Sequence, residues 1–351
     1  SVGTAPAIVV QPLATTAIAG QQPATFSVVA TAIPAPTYQW SKNGTAIPGA
    51  TTSAFALAST QPSDAGVYTC AVTNAYGTVT TAAATLTILP AARLSNVSVR
   101  TTLASSQSLI VGYVVGGGST EILVRAAGPA LLPFGISTAL PDPRIELYQA
   151  STKILENDNW PASLSASATT VGAFSFAPSS RDAALLHPAT GAYSVLASGT
   201  TAGVVLVETY DLAASGSAAG NARLINISAR NHVGTDADIL IAGFNLTGFG
   251  TRRILLRAVG PTLGGVPFLV PGALADPKLA LFDGAGTKIA ENDNWEASLA
   301  PTFAASGAFA LSPNSLDAAL LVILPAGAYT AQISGVAATT GVALVEVYEV
   351  P

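Results

Sequence analysis

Two stretches of Glu-Asn-Asp-Asn-Trp, at 156–160 and 291–295, set carboxylates beside side-chain amides. Calcium takes roughly six to eight oxygen ligands of this kind. Asp276, Asp283 and Asp293 around the second stretch are therefore candidate calcium ligands, as are Asp142 and Asp158 around the first, with Asp182 and Asp317 as further acids that could converge. The alternative is that Asn and Asp cap a tight turn through local side-chain bonds. The second copy is preceded by Phe-Asp-Gly-Ala-Gly (282–286), where the first has Tyr-Gln-Ala-Ser-Thr (148–152). The first copy thus lacks a counterpart of Asp283 and is the poorer metal site. Calcium is the one cofactor these residues suggest.

Trp160 and Trp295 end the two stretches. Exposed, they would be sugar-stacking platforms; buried, they would plug the end of a β-sandwich. A second repeated motif, Arg-Ala-x-Gly-Pro-x-Leu, carries Arg125 and Arg257 inside apolar strands. A cation there needs a partner. Glu208 and Glu346, in matching Val-Glu-x-Tyr strands, suit a structural ion pair, with an anion site as the other reading.

Catalytic constellations are missing, and the chain reads as a non-enzyme. His187 and His232 fall at unmatched places in the two copies. Gly-x-Ser-x-Gly does not occur, and the glycines of 243–250 lack the Lys and Ser/Thr of a phosphate loop. The acids near 156–158 and 291–293 are spaced as glycosidase carboxylates might be, but their duplication with the whole scaffold favours structural acids.

The elements that must hold these residues are strands. Short β-rich runs recur at 24–30, 85–89, 121–126, 204–212, 253–259 and 342–350, separated by Gly, Pro, Asn and Ser clusters. That pattern predicts an all-β fold of sandwiches or barrels. Asn43-Gly44 is the sharpest turn signal. Residues 300–310 are the best candidate for a short helix.

Residues 34–44 (PAPTYQWSKNG) place Trp40 as the core Trp of a strand, and 64–70 (DAGVYTC) set Tyr68 two residues before Cys70. With the hairpin-like 71–88, residues 5–89 resemble an I-set immunoglobulin domain of the kind found in bacterial surface and secreted proteins. The resemblance implies a β-sandwich with a tyrosine corner. It would put the partner cysteine at position 28, which is Val. Cys70 is then expected as a buried small residue without a disulfide.

The remainder is an internal repeat. ARLSNVSVR (92–100) matches ARLINISAR (222–230), and GVVLVETYDL (203–212) matches GVALVEVYEV (341–350). This predicts three β-sandwich domains in a row, the second and third homologous to each other: 1–89, 90–213 and 222–351, with a small-residue linker at 214–221. The repeats look like tandem modules of large secreted proteins from environmental bacteria. Residues 276–295 are also similar to the bacterial pre-peptidase C-terminal domain, and neither likeness implies catalysis.

The 351 residues carry 14 Lys and Arg against 19 Asp and Glu, a net charge of −5 with 9% charged residues. No basic patch for nucleic acid follows, nor any apolar run long enough to span a membrane. The chain begins Ser-Val-Gly rather than with Met, which fits removal of a secretory signal and an extracellular or cell-surface location. Few charges leave few guards on sheet edges. The expected function is a structural subunit that polymerises with itself, head to tail through apolar contacts, into an extracellular filament. The alternative is an adhesive or carbohydrate-binding stalk whose partners are glycans or another cell surface.

Overall fold

The computed structural model describes residues 2–105, 107–215 and 222–351. They form two compact units, one of 1–91 with 248–250, the other of 92–247 with 251–351. The protein is all-β, with an immunoglobulin-like first domain followed by homologous repeats.

The first unit contains β1 (Thr4–Val10), β2 (Thr15–Ile18), β3 (Ala24–Ser27), β4 (Val29–Ile33) and β5 (Thr37–Lys42). It continues with β6 (Thr45–Ala46), β7 (Ala54–Leu57), β8 (Gly66–Asn74), β9 (Gly77–Thr80) and β10 (Ala84–Leu89). The larger sheet runs β2-β10-β8-β5-β6, with β9 on β8; β1-β4 and β3-β7 are separate pairs. Asn43 and Gly44 join β5 to β6 with φ of 49° and 81°, the positive values that a type I′ turn requires. Trp40 and Cys70 are fully buried among Phe26, Val28, Tyr68 and Val72. The Tyr68 hydroxyl donates to the Asp64 carbonyl at 2.8 Å, the bond of a tyrosine corner. Cys70 is a free, buried thiol, and burial pushes its pKa up, away from the reactive thiolate.

In the second unit the first repeat supplies β11 (Arg93–Leu103), β12 (Ser108–Ala127), β13 (Arg144–Gln149), β14 (Thr152–Asn157), β15 (Ala183–Ser198) and β16 (Gly203–Asp211). Its counterpart supplies β17 (Arg223–Val233), β18 (Leu240–Val259), β19 (Pro277–Asp283), β20 (Lys288–Asn292), β21 (Ala318–Gly335) and β22 (Gly341–Glu349). Three short helices lie between strands: α1 (Ser165–Thr170), α2 (Pro261–Gly264) and α3 (Ala300–Ala305). The last falls in the expected stretch 300–310.

The two repeats are not separate bodies. β11 pairs with β16 of its own repeat and with β18 of the other; β17 pairs with β22 and with β12. Since β12 also pairs with β16, and β18 with β22, six strands close into a ring, β12-β16-β11-β18-β22-β17. One apolar core fills it from both repeats, including Val97, Tyr113, Ile227, Ala242 and Phe244. The division into 90–213 and 222–351 is therefore corrected: it separates the sequence copies but cuts through one sheet and one core. The reason is physical. A repeat alone would leave one edge of β11, and one edge of the first half of β12, without hydrogen-bond partners, and each is satisfied by the other copy. Residues 216–221 of the expected linker lie outside the described residues.

Beyond the ring, β12 carries β15-β13-β14 on its other side, and β18 carries β21-β19-β20. The end strands β14 and β20 hold much of the chain's sparse charge. Glu156 meets Arg144 at 2.6 Å and Lys153 at 2.5 Å; Glu291 meets Lys288 at 2.6 Å and Lys278 at 3.3 Å. These two edges are guarded rather than bare. Among the described residues no helix is long and apolar enough to cross a membrane.

Candidate functional site

Strand alternation sets the first arrangement. Val124 and Ala126 face the ring core, so Arg125 between them faces outward, directly opposite Glu208 on β16. Arg125 Nε stands 3.3 Å from Glu208, and both side chains are almost fully buried. The Tyr210 hydroxyl donates to the other Glu208 oxygen at 2.7 Å. The rings of Phe174 and Phe176 lie 4.6 and 3.9 Å from the guanidinium carbon. Burial pushes the Glu208 carboxyl up, opposed by the Arg125 charge and the Tyr210 bond. The second copy is tighter. Arg257 Nε donates to Glu346 at 2.7 Å, and its Nη1 donates to the Phe309 carbonyl at 2.5 Å.

A flap covers each pair, and the repeated motifs fasten it. Asp182 accepts from the Gly128 N–H at 2.6 Å and the Ala130 N–H at 3.2 Å; Asp317 accepts from Gly260 at 2.7 Å and Thr262 at 3.3 Å. Gly128 and Gly260 have no room for a side chain. A Cβ would lie 2.0 Å from the Leu140 carbonyl oxygen and 2.2 Å from that of Leu274. The Glu-Asn-Asp-Asn-Trp stretches are clips. Asn157 accepts from the Ala184 N–H at 2.9 Å and donates to the Asn159 carbonyl at 2.9 Å; Asn292 makes the same two bonds, to Ala319 and Asn294.

The candidate calcium ligands take separate partners, except that Asp276 and Asp293 lie close to each other. Asp283 accepts from the N–H groups of Ala285 and Thr287, at 3.0 and 2.9 Å, and so caps its own turn. Asp142 pairs with Arg181 at 3.3 Å, and Asp158 takes a bond from Asn159 at 3.2 Å. Asp276 feels the charge of Asp293, which adds to burial in raising its pKa. Among the described residues no three Asp, Glu, His or Cys side chains form a group that could hold a metal. Trp160 and Trp295 are half-buried covers rather than open platforms. Their indole N–H groups donate to the Ala177 carbonyl (2.9 Å) and the Ser315 hydroxyl (3.2 Å), and they pack on Phe176 and Phe303. His187 is buried and His232 exposed.

An open groove of about 500 Å³ lies beside the first flap, a size typical of small-molecule sites. Its floor is a cross-strand row, Leu206, Arg100, Ile241 and Gln332, in register on β16, β11, β18 and β21. Ser98 and Thr330 extend the floor, and Phe134 and Phe174 form the wall. The two rings meet edge to face at 5.2 Å, and Phe134 is 63% exposed. Arg100 is exposed and makes no ion pair or hydrogen bond among the described residues. The ring's internal repeat places Arg230, half-buried, at the matching position between Leu344 and Ile110, with Leu196 in the position of Gln332. The sequence reading missed both arginines. Their signal was the outward Ser-x-Arg of the matched 92–100 and 222–230 runs.

Residues 5–74 match the family described as immunoglobulin domain. No curated protein matches the chain. Among solved structures, tandem immunoglobulin repeats of Dlar are 22% identical, with a TM-score of 0.23 over 24% of this chain and 49% of that one, about half its length. A three-domain fragment of the titin I-band is 13% identical, TM-score 0.24, covering 92% of this chain and 89% of that one. Domains 1–5 of Sidekick-1 are 14% identical, TM-score 0.24, covering 97% and 58%. TM-scores this low carry no argument about how the rest of the chain is built. The chain thus has an N-terminal immunoglobulin-like domain, with further all-β repeats after it.

Proposed function

We propose that the chain is a non-catalytic adhesive segment of an extracellular or cell-surface protein. One observation carries this reading. In a chain with only 14 cations, most are held in internal ion pairs, yet Arg100 stands unpaired on an open sheet face beside an exposed aromatic wall. An unpaired cation with an apolar neighbour suits a binding surface. The buried Arg–Glu pairs suit scaffolding: each is closed under a flap, with no nucleophile or acid–base partner beside it. The likeness of the first domain to immunoglobulin domains is compatible with adhesion but assigns none. Beads coated with the chain are expected to retain bacterial cells or extracellular polysaccharide above uncoated beads. Retention of neither sinks the proposal.

A head-to-tail filament is the second reading. It is favoured by exposed apolar side chains repeated on the two flap loops, Leu132 and Phe134 in one and Val266 and Leu269 in the other. The guarded edges β14 and β20 count against joining through those strands. Sedimentation at high concentration in native buffer separates the readings: a sharp monomer boundary removes the filament.

A further inference from the structure

We propose that the groove at Arg100, together with the matching strand position at Arg230, binds acidic polysaccharide, specifically a polymer of uronic acids. This inference rests on the adhesive reading and names its ligand. Three features select the ligand class.

The first is the cation. Arg100 presents a free guanidinium on the groove floor, and a planar carboxylate is the partner it binds bidentately. The second is the rest of the lining. Ser98, Thr330 and Gln332 offer short donors and acceptors suited to hydroxyl groups, while Phe134 and Phe174 offer apolar faces for the C–H side of a sugar ring. The third is strand pairing. Under the groove, β11 is paired on both sides, by β16 and β18, and β18 on both sides, by β11 and β21. A peptide cannot add there as an extra strand, so the usual main-chain mode of peptide capture is closed. Recognition must come through side chains on a flat, polar and aromatic floor.

Duplication points the same way. The repeat sets a second unpaired arginine, Arg230, at the matching position, with Phe268 and Phe309 in contact at 4.8 Å as the counterpart aromatic pair. Two matched cation sites on one unit suit a ligand whose carboxylates repeat. The second position is the more apolar, since Leu196 replaces Gln332, and Arg230 is half-buried where Arg100 is exposed, so it is the weaker site.

The test uses the full chain with trigalacturonate as a one-site probe and polygalacturonate as the polymer, dextran serving as neutral control. Calorimetry is expected to give two trigalacturonate sites per chain, and polygalacturonate is expected to retard the protein in affinity electrophoresis where dextran does not. Arg100→Gln should weaken the first site roughly tenfold, and adding Arg230→Gln should weaken the second to the same degree, each through one lost charge-assisted contact. Phe134→Ser, which keeps both arginines, should weaken the first site only. Thermal melts confirm that the variants fold. Binding that is undiminished in the double arginine variant, equal retardation by dextran, or preference for an apolar peptide ending in a carboxylate overturns the inference. Bead adhesion measured in parallel keeps the two readings apart. Adhesion that persists in the double variant leaves the adhesive role standing and removes the polyuronate ligand.

Discussion

The Tyr113 hydroxyl donates to Nε2 of the buried His187 on the neighbouring strand β15, and His187 Nδ1 donates to the Pro188 carbonyl at 3.0 Å. The matched positions of the second repeat hold Phe244 and Val322, shown by the shared register opposite Tyr193 and Tyr329, and Ile122 and Ile254. A buried hydroxyl needs a partner, and the histidine supplies it; where the hydroxyl is absent an apolar residue replaces the histidine. Tyr113→Phe alone leaves Nε2 unpaired and should cost about 1–3 kcal/mol in urea unfolding. Adding His187→Val should recover part of that loss. A double variant that loses the sum of both singles would contradict the coupling.

The same histidine sets a pH dependence. Burial lowers the His187 pKa, and the bond to Pro188 only partly opposes it. The folded state therefore prefers neutral imidazole. Its contribution is fully present above the unfolded pKa, about 6.5, and is lost as pH falls below that value toward the folded pKa. Urea midpoints from pH 8 to pH 5 should fall more steeply for the native chain than for the Tyr113→Phe, His187→Val variant.

The buried ion pairs should be costly to break and cheap to replace. Glu346→Gln or Arg257→Met leaves one buried charge unmatched and should cost about 3–5 kcal/mol, while replacing both by apolar residues should cost much less. The loss at Arg257 should exceed that at Arg125, whose Nε is 3.3 Å from its glutamate rather than 2.7 Å. Denaturant unfolding of Arg257→Met beside Arg125→Met ranks them.

Gly128→Ala and Gly260→Ala should destabilise the flaps, by about 1–3 kcal/mol each, because a methyl group would meet a backbone oxygen that cannot move aside. Limited proteolysis should then cut within 129–182 or 261–317 sooner than in the native chain.

Chelation should do little. Asp142, Asp158, Asp283 and Asp293 are held by N–H groups, an arginine or neighbouring side chains, whereas a buried oxygen of Asp276 has no hydrogen-bond partner among the described residues. The melting midpoint should be unchanged between excess calcium and EDTA. A rise with calcium would restore a metal role to Asp276 and Asp293.

Much of this was legible in the sequence. Trp40, Tyr68 and Asn43-Gly44 are local signals, each with its own mechanical meaning, and they placed the first domain. The matched Arg and Glu motifs indicated partners because an arginine between apolar neighbours on a strand has few choices. The interlock was not legible. Repeat offsets show which segments are alike but not which copy supplies the partner of β11, and either copy has the same alternating pattern. The Glu-Asn-Asp-Asn-Trp stretches were ambiguous because asparagine oxygens serve a metal or a backbone N–H equally well. Only the position of the Ala184 and Ala319 N–H groups decides between them. Arg100 passed unnoticed because an outward arginine on a strand becomes informative only when the groove beside it is visible.

The closed ring supports the groove at Arg100 and both flaps, so cutting the chain between the copies is the most direct test. A protease site placed within 216–221 lets the repeats be severed after folding. The account predicts that the two fragments stay together through size exclusion and melt in one transition, because β11–β18 and β12–β17 still hold them. Fragments that separate in native buffer, each still folded, would contradict it and restore two independent domains.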